Sequence, residues 1–359
     1  MFERGIAIGG RAYTMRPYVK TCALGLLAVA TLALAACGPG NNPGAGTNTN
    51  ASLTACSVSA SDLAPKTSAT GTAPKVSGLS GQKITADGSS ALQPLIKQAA
   101  AELDQANGTQ STINAGGSGQ GLKDVEAGAV HIGMSDVFAS QKAPASNPHA
   151  YDNLTDHQVA AVVFTLVVNN DLKGKVENLT SDQIKQIYTG QVTNWSQLGG
   201  PNEAITVFNR PTTSGTRATF DQYVLGGTAE SAGSVAQDNT GAVAAAVAGT
   251  RGAIGYISIG FAASQQYASQ ISPVCIDGAK AVAADVNDGK YTFWAIEHAY
   301  TRGPATGAAK ALLQYVESRQ VQQNDLLALG YLPVSTVSQS AIAAHTPSGA
   351  PAPESFYGS

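Results

Sequence analysis

Four short segments carry side chains suited to holding an anion. They are Asp87-Gly88-Ser89-Ser90, Gly116-Gly117-Ser118-Gly119-Gln120-Gly121, Ser135-Asp136 and Asn209-Arg210-Pro211-Thr212-Thr213-Ser214-Gly215-Thr216. Hydroxyls and unpaired backbone N–H groups donate hydrogen bonds, and the Arg210 guanidinium offers two parallel donors. A ligand held by such a set is a compact oxyanion. Metal chemistry has no comparable signature, because the five histidines (His131, His149, His157, His298 and His345) are scattered and none is spaced as a zinc ligand. The chain also lacks G-x-S-x-G, a P-loop and a complete G-x-G-x-x-G. The sequence therefore calls for no metal and no cofactor.

The elements around these segments alternate in the manner of an α/β fold. Ile84-Thr85-Ala86 reads as a strand running into the first segment, with Ser90 placed as the N-cap of a helix carrying Leu92, Leu95, Ile96, Ala99 and Leu103 on one face. Residues 110–115 read as a strand ahead of the second segment, and a helix with Leu122 and Val125 follows it. Residues 129–134 form a strand ending at Ser135-Asp136, and residues 205–208 a strand ending at Asn209. Three of the four segments thus open helices, where free N–H groups and the positive dipole end favour an anion. Strand ends are also where open α/β sheets bind ligands. Thr180-x-x-Gln183 is a capping box on a structural helix that stops near Gly190.

Gly88-Ser89-Ser90-Ala91-Leu92-Gln93-Pro94, Gly117-Ser118-Gly119, Gly133-Met134-Ser135-Asp136 and Arg210-x-x-x-Ser214-Gly215-Thr216-Arg217 resemble, in content and order, the phosphate-binding protein family of the phosphate ABC transporter (PstS). Leu179–Ile184, Ile187–Gly190, Thr193-Asn194-Trp195 and Gly252–Tyr256 extend the resemblance over about residues 80–335. It implies a type II periplasmic-binding fold with a ligand cleft between two lobes. The lobes fall at about 80–165 plus 258–340 and at 166–257, with crossing strands near 161–168 and 255–259. Carried over by position, the phosphate contacts are Ser90 and the Ala91 N–H, then Ser118, Asp136, Arg210, Ser214, Gly215 and Thr216. The family's familiar first loop has Thr before a large apolar residue, so Ser89 and Ser90 both remain candidates. The implied role is capture of inorganic phosphate for an ABC permease, by a monomer without enzymatic activity.

Asp136 sharpens the ligand. A carboxylate repels an anion unless that anion brings a proton, which hydrogen phosphate does and sulfate at neutral pH does not. The alternatives are another oxyanion, a phosphate-binding surface sensor or adhesin, and a phosphoester hydrolase using Ser214 or Ser118. No base or metal-ligand cluster flanks either serine in sequence.

The amino terminus reads as an address. Arg16 and Lys20 precede an uncharged run from Cys22 to Ala36, too short to span a bilayer comfortably but suited to a signal-peptide core. It ends in Leu34-Ala35-Ala36-Cys37, which resembles a bacterial lipobox with Cys37 as the lipidated residue; the true start is Met1 or Met15. Residues 1–36 are then a signal peptide, and the protein sits on the extracytoplasmic face of the membrane, held by lipid alone. Residues 37–79 and 341–359, poor in large apolar groups, read as a flexible tether and tail. The mature chain keeps 17 basic and 23 acidic side chains, which argues against nucleic acid as partner. Cys56 and Cys275 remain in an oxidising compartment, either as a disulfide or as two buried thiols.

Overall fold

The computed structural model of the chain describes residues 53–63, 72–231 and 234–356. The signal-peptide and Cys37 assignments lie outside the described residues. Eleven strands form one curled sheet. In chain order they are β1 (Lys83–Gly88), β2 (Gln110–Ile113), β3 (Ile132–Ser135), β4 (Leu154–Asn169), β5 (Asn178–Leu179), β6 (Thr206–Asn209), β7 (Val235–Ala236), β8 (Ala253–Ser258), β9 (Ile271–Ile276), β10 (Trp294–Arg302) and β11 (Tyr331–Leu332). The order across the sheet is β2-β1-β3-β10-β4-β8-β6-β7, with β11 and β9 also on β4 and β5 on β9.

β4 organises the molecule. Its residues from Val159 to Val168 are almost all apolar and all buried, the near-continuous hydrophobic run expected of a strand covered on both faces. Its amino-terminal part pairs antiparallel with β10, and its carboxy-terminal part with β8 and β9. One strand therefore threads two half-sheets: a first with β1–β3 and β10, and a second with β5, β6, β8 and β9. The expected boundary at residue 258 put Ile271–Ile276 with the first half. Its pairing with Leu166–Asn169 and with β5 places it in the second, so the chain returns to the first half only after β9. Edge pairing between remote segments leaves no periodicity to read.

Parallel pairing within each half brings helix starts to the carboxy-terminal strand ends. β1 pairs with β2 and β3, and β6 with β8 and β7. Of the helices, α1 covers Ala60–Leu63, α2 Gln93–Asn107, α3 Ser118–Glu126, α4 Ser181–Tyr188, α5 Gly215–Tyr223 and α6 Thr240–Gly249. α2 buries Leu95, Ile96, Ala99, Ala100 and Leu103, the face its spacing predicted, each Leu or Ile being worth about 1.5–3 kcal/mol of burial. α4 begins at the expected capping box, with the Thr180 hydroxyl accepting from the Gln183 N–H and the Gln183 side-chain Oε1 from the Thr180 N–H.

At both ends, residues expected to be flexible pack against the fold. Leu53, Val58 and Leu63 are buried, and the N–H groups of Glu177 and Asn178 both donate to the Leu53 carbonyl. At the other end, the helix Gln339–His345 packs His345 between Tyr223 and Trp294, with ring centroids 4.0 and 4.1 Å apart. The N–H of Glu354 donates to the Asp156 carbonyl at 2.7 Å, and the Phe356 ring stacks on His157. These partners lie far away in sequence, where composition cannot see them.

Cys56 and Cys275 are joined in a disulfide across 219 residues, which clips the amino-terminal segment to β9. Closing so long a loop removes on the order of 3–5 kcal/mol of unfolded-chain freedom. Replacing both cysteines by serine is expected to lower the melting temperature by roughly 5–10 °C. Calorimetry of the double variant checks this, and an unchanged midpoint would contradict it.

Candidate functional site

The first segment is shaped by Gly88, whose φ of +134° and whose missing Cβ, which would lie 2.0 Å from the Met134 carbonyl oxygen, admit no other residue. The chain then turns so that the Ser89 hydroxyl, not that of Ser90, accepts from the N–H groups of Ala91 and Leu92, both at 3.0 Å. Ser90 is therefore not the cap, because its neighbour reaches the same donors first. The Ala91 N–H, expected to face a ligand, is spent on Ser89. Ser90 instead turns its hydroxyl to the second half-sheet, where it lies 2.9 Å from Thr240 Oγ1 and accepts from the Thr240 N–H at 3.1 Å.

Asp87 ties the second segment to the first, its Oδ1 accepting from the N–H groups of Gly88 and Gly116. Ser118 is the first residue of α3 and is fully buried. Its Oγ accepts from the Asp136 N–H at 3.1 Å and lies 3.5 Å from Asp136 Oδ1. Thr216 Oγ1 donates to Asp136 Oδ2 at 2.7 Å from the other half-sheet. Ser214 caps α5, accepting from the Arg217 N–H. Gly215 and Thr216, the first residues of α5, have N–H groups without an intrahelical acceptor. Gly215 is where the halves touch: a Cβ there would sit 2.3 Å from Ser118 Oγ and 2.9 Å from Asp136 Cβ.

Arg210 completes the ring. It is buried, with Nη1 donating to Thr240 Oγ1 at 3.4 Å and Nη2 to the Asp238 carbonyl at 3.1 Å. Among the described residues its Nε has no hydrogen-bond partner. Burial weakens its hold on its proton, and the Asp136 carboxylate opposes that shift. The backbone is fixed from behind: the Arg210 N–H donates to Tyr256 Oη, which donates to Glu230, and Arg217 Nη1 donates to the Arg210 carbonyl. Burial raises the Glu230 carboxyl to about 7, with Arg217 pulling it back down.

Ser90, Ser118, Asp136, Arg210, Ser214, Gly215 and Thr216 thus converge from three helix starts and three strand ends into a buried cluster lined mostly by donors, with one carboxylate. Two members escaped sequence reasoning. Thr240 opens α6 after Asn239, whose side chain accepts from the Ala242 N–H; an Asn-Thr-Gly ahead of an alanine run was a legible cap signal. Lys142 had no local signal. Its Nζ crosses between the halves to the carbonyls of Thr212 and Ser214, at 2.9 and 3.0 Å. The Gly119 N–H crosses as well, to the Thr213 carbonyl at 2.9 Å. Among the described residues no group of three or more histidine, cysteine or acidic side chains is placed to hold a metal.

A family model described as a PBP superfamily domain matches residues 57–320. Over 253 residues the chain is 42% identical to the phosphate-binding protein PstS of Bacillus subtilis, covering 70% of this chain and 81% of that protein. It is 24% identical over 222 residues to the PstS of Borreliella burgdorferi, covering 58% and 75%. Among solved structures it is similar to a phosphate ABC transporter substrate-binding protein from Clostridium perfringens with bound phosphate. That likeness has a TM-score of 0.61 and 26% identity, over 70% of this chain and all of that one. An ABC-type phosphate transport receptor from Vibrio cholerae shares the fold at a TM-score of 0.54 and 22% identity, over 69% and 99%.

Proposed function

The chain belongs to the PstS phosphate-binding proteins of the PBP superfamily, and from that premise we propose that it captures inorganic phosphate and hands it to an ABC permease. It is a binding protein and not an enzyme. Ser90, Ser118, Arg210, Ser214, Gly215, Thr216 and, in addition to the sequence-based set, Thr240 hold the anion. The Ala91 N–H orients Ser89 rather than the ligand. The two half-sheets act as lobes that close on phosphate, with Lys142 and Gly119 latching the closed form. One chain supplies every group in the cluster, so a monomer suffices. The protein works on the extracytoplasmic side, anchored through lipid on Cys37; among the described residues no helix is long and apolar enough to cross a membrane.

The observation that carries this reading is the single carboxylate among donors. Asp136 is buried, with Thr216 donating to one oxygen and Ser118 near the other. A carboxylate has about four acceptor directions, so it still accepts the proton of hydrogen phosphate. Sulfate has no such proton and faces an unpaired buried charge, at a cost of on the order of 1–3 kcal/mol or more. Asp136→Asn gives that oxyanion a donor instead. The variant is expected to lose phosphate-over-sulfate preference by tenfold or more while its phosphate affinity falls less. Calorimetric titration with each anion at neutral pH measures both; equal affinities in the unaltered protein would end the proposal.

A further inference from the structure

Directly behind Asp136 lies a second acid that the phosphate contacts do not use. Continuing the antiparallel register of β10 and β3, in which His298 faces Ser135, sets Glu297 opposite Asp136. The register between β10 and β4 slips at Glu297/His298, so a bulge re-aims the side chain at this point. Glu297 is fully buried, and among the described residues neither carboxyl oxygen has a donor. That register puts it beside Asp136, close enough for the Asp136 charge to push its carboxyl up. Two carboxylates offer each other only acceptors and like charge, and cannot both be ionised in a buried site. One proton between them turns the repulsion into a strong O–H···O hydrogen bond.

We propose that Glu297 is a neutral carboxylic acid that donates its O–H to Asp136, fixing Asp136 as the anion and aiming its remaining lone pairs at the ligand. The inference rests on the phosphate reading above and adds a positioning residue that sets specificity. The proton belongs on Glu297 because Asp136 has two further stabilising partners, Thr216 Oγ1 donating and Arg210 nearby, whereas Glu297 has none. Burial, and then Asp136 itself, push the Glu297 carboxyl well above the usual carboxylate range. The other ionisable group facing it is the buried Tyr331 phenol of β11, which donates to the Ala91 carbonyl and so supports the first loop from the same floor.

The sign of the pH effect follows. An acid whose folded value is raised holds a proton that the unfolded chain has already lost. Stability therefore falls as pH rises from the ordinary glutamate range toward the raised value, and binding falls when Glu297 ionises beside Asp136. Glutamine keeps an N–H donor and cannot ionise, whereas methionine fills the space with no donor.

The experiment titrates phosphate and sulfate into the full chain and its E297Q, E297M and D136N variants between pH 5 and pH 9 (a range of about two units either side of neutrality). Infrared difference spectra of the protonated-carboxyl C=O band are recorded alongside. E297Q is expected to keep the phosphate-over-sulfate ratio within about threefold and to lose the alkaline decline, while E297M lowers the ratio by tenfold or more. The unaltered protein should show a protonated-carboxyl band at neutral pH that is missing from E297Q. If E297M does not fold, the E297Q pH profile and the infrared band still decide. No band difference, or an E297M ratio equal to the unaltered one while D136N lowers it, overturns the role of Glu297 alone. A D136N ratio equal to the unaltered one brings down the phosphate reading and this inference together.

Discussion

Arg210→Ala is expected to lower phosphate affinity by a factor of about thirty to several thousand without lowering the melting temperature of the ligand-free protein. The two halves of this result have one cause. The guanidinium is buried, and protein groups satisfy it only in part: Thr240 Oγ1 at a long 3.4 Å, the Asp238 carbonyl, and nothing at Nε. Without an anion, its desolvation is poorly compensated, so removing it is close to neutral for the fold. With an anion, its full positive charge gains a counter-charge. Truncating such a partner costs roughly 2–5 kcal/mol, or about thirtyfold to several thousandfold in affinity. Arg210→Lys keeps the charge but loses the paired donors, and is expected to recover only part of the loss. Titration calorimetry and thermal melts of both variants test this; R210A binding within threefold of the unaltered protein would refute it.

Gly215→Ala is expected to uncouple ligand binding from closure. Alanine is intrinsically favourable in a first helical turn, so the second half-sheet should fold as before. The added Cβ would meet Ser118 Oγ at 2.3 Å and the Asp136 side chain at 2.9 Å, both on the opposite half. Overpacking of this kind costs about 1–3 kcal/mol, and the cost falls on the closed form alone. Phosphate affinity should drop roughly ten- to a hundredfold, and phosphate should no longer shrink the radius of gyration in small-angle scattering. Unchanged affinity with normal compaction would show that the two halves tolerate more space than their contact distances allow.

How much of this was legible beforehand divides by range of interaction. The four converging segments could be read because a cap, a tight turn and a helix start are local, written within a few residues of one another, as in Ser214-Gly215-Thr216 or Gly88-Ser89. Ser89 and Ser90 show the limit of that logic. Both carry the same hydroxyl, and which one caps and which crosses the cleft depends on Thr240, 150 residues on. Lys142 and Glu297 were invisible for the same reason, since their partners are carbonyls and a carboxyl on other elements. Composition gives no sign of the packing of residues 53–63 and 341–356, because a disulfide, a few backbone hydrogen bonds and two aromatic stacks hold them, none of which needs a large apolar content.

The disulfide also determines where mechanical load enters the molecule. Tension on the chain ahead of Cys56 passes through the sulfurs into Cys275 on β9, and from there through the β9 ladder to residues 166–169 of β4. That path stays within one half-sheet and bypasses Ser90, Ser118, Asp136 and Arg210. A pull on the amino terminus is therefore carried by strands loaded across a hydrogen-bonded ladder, while the loops of the proposed anion site stay out of the line of force.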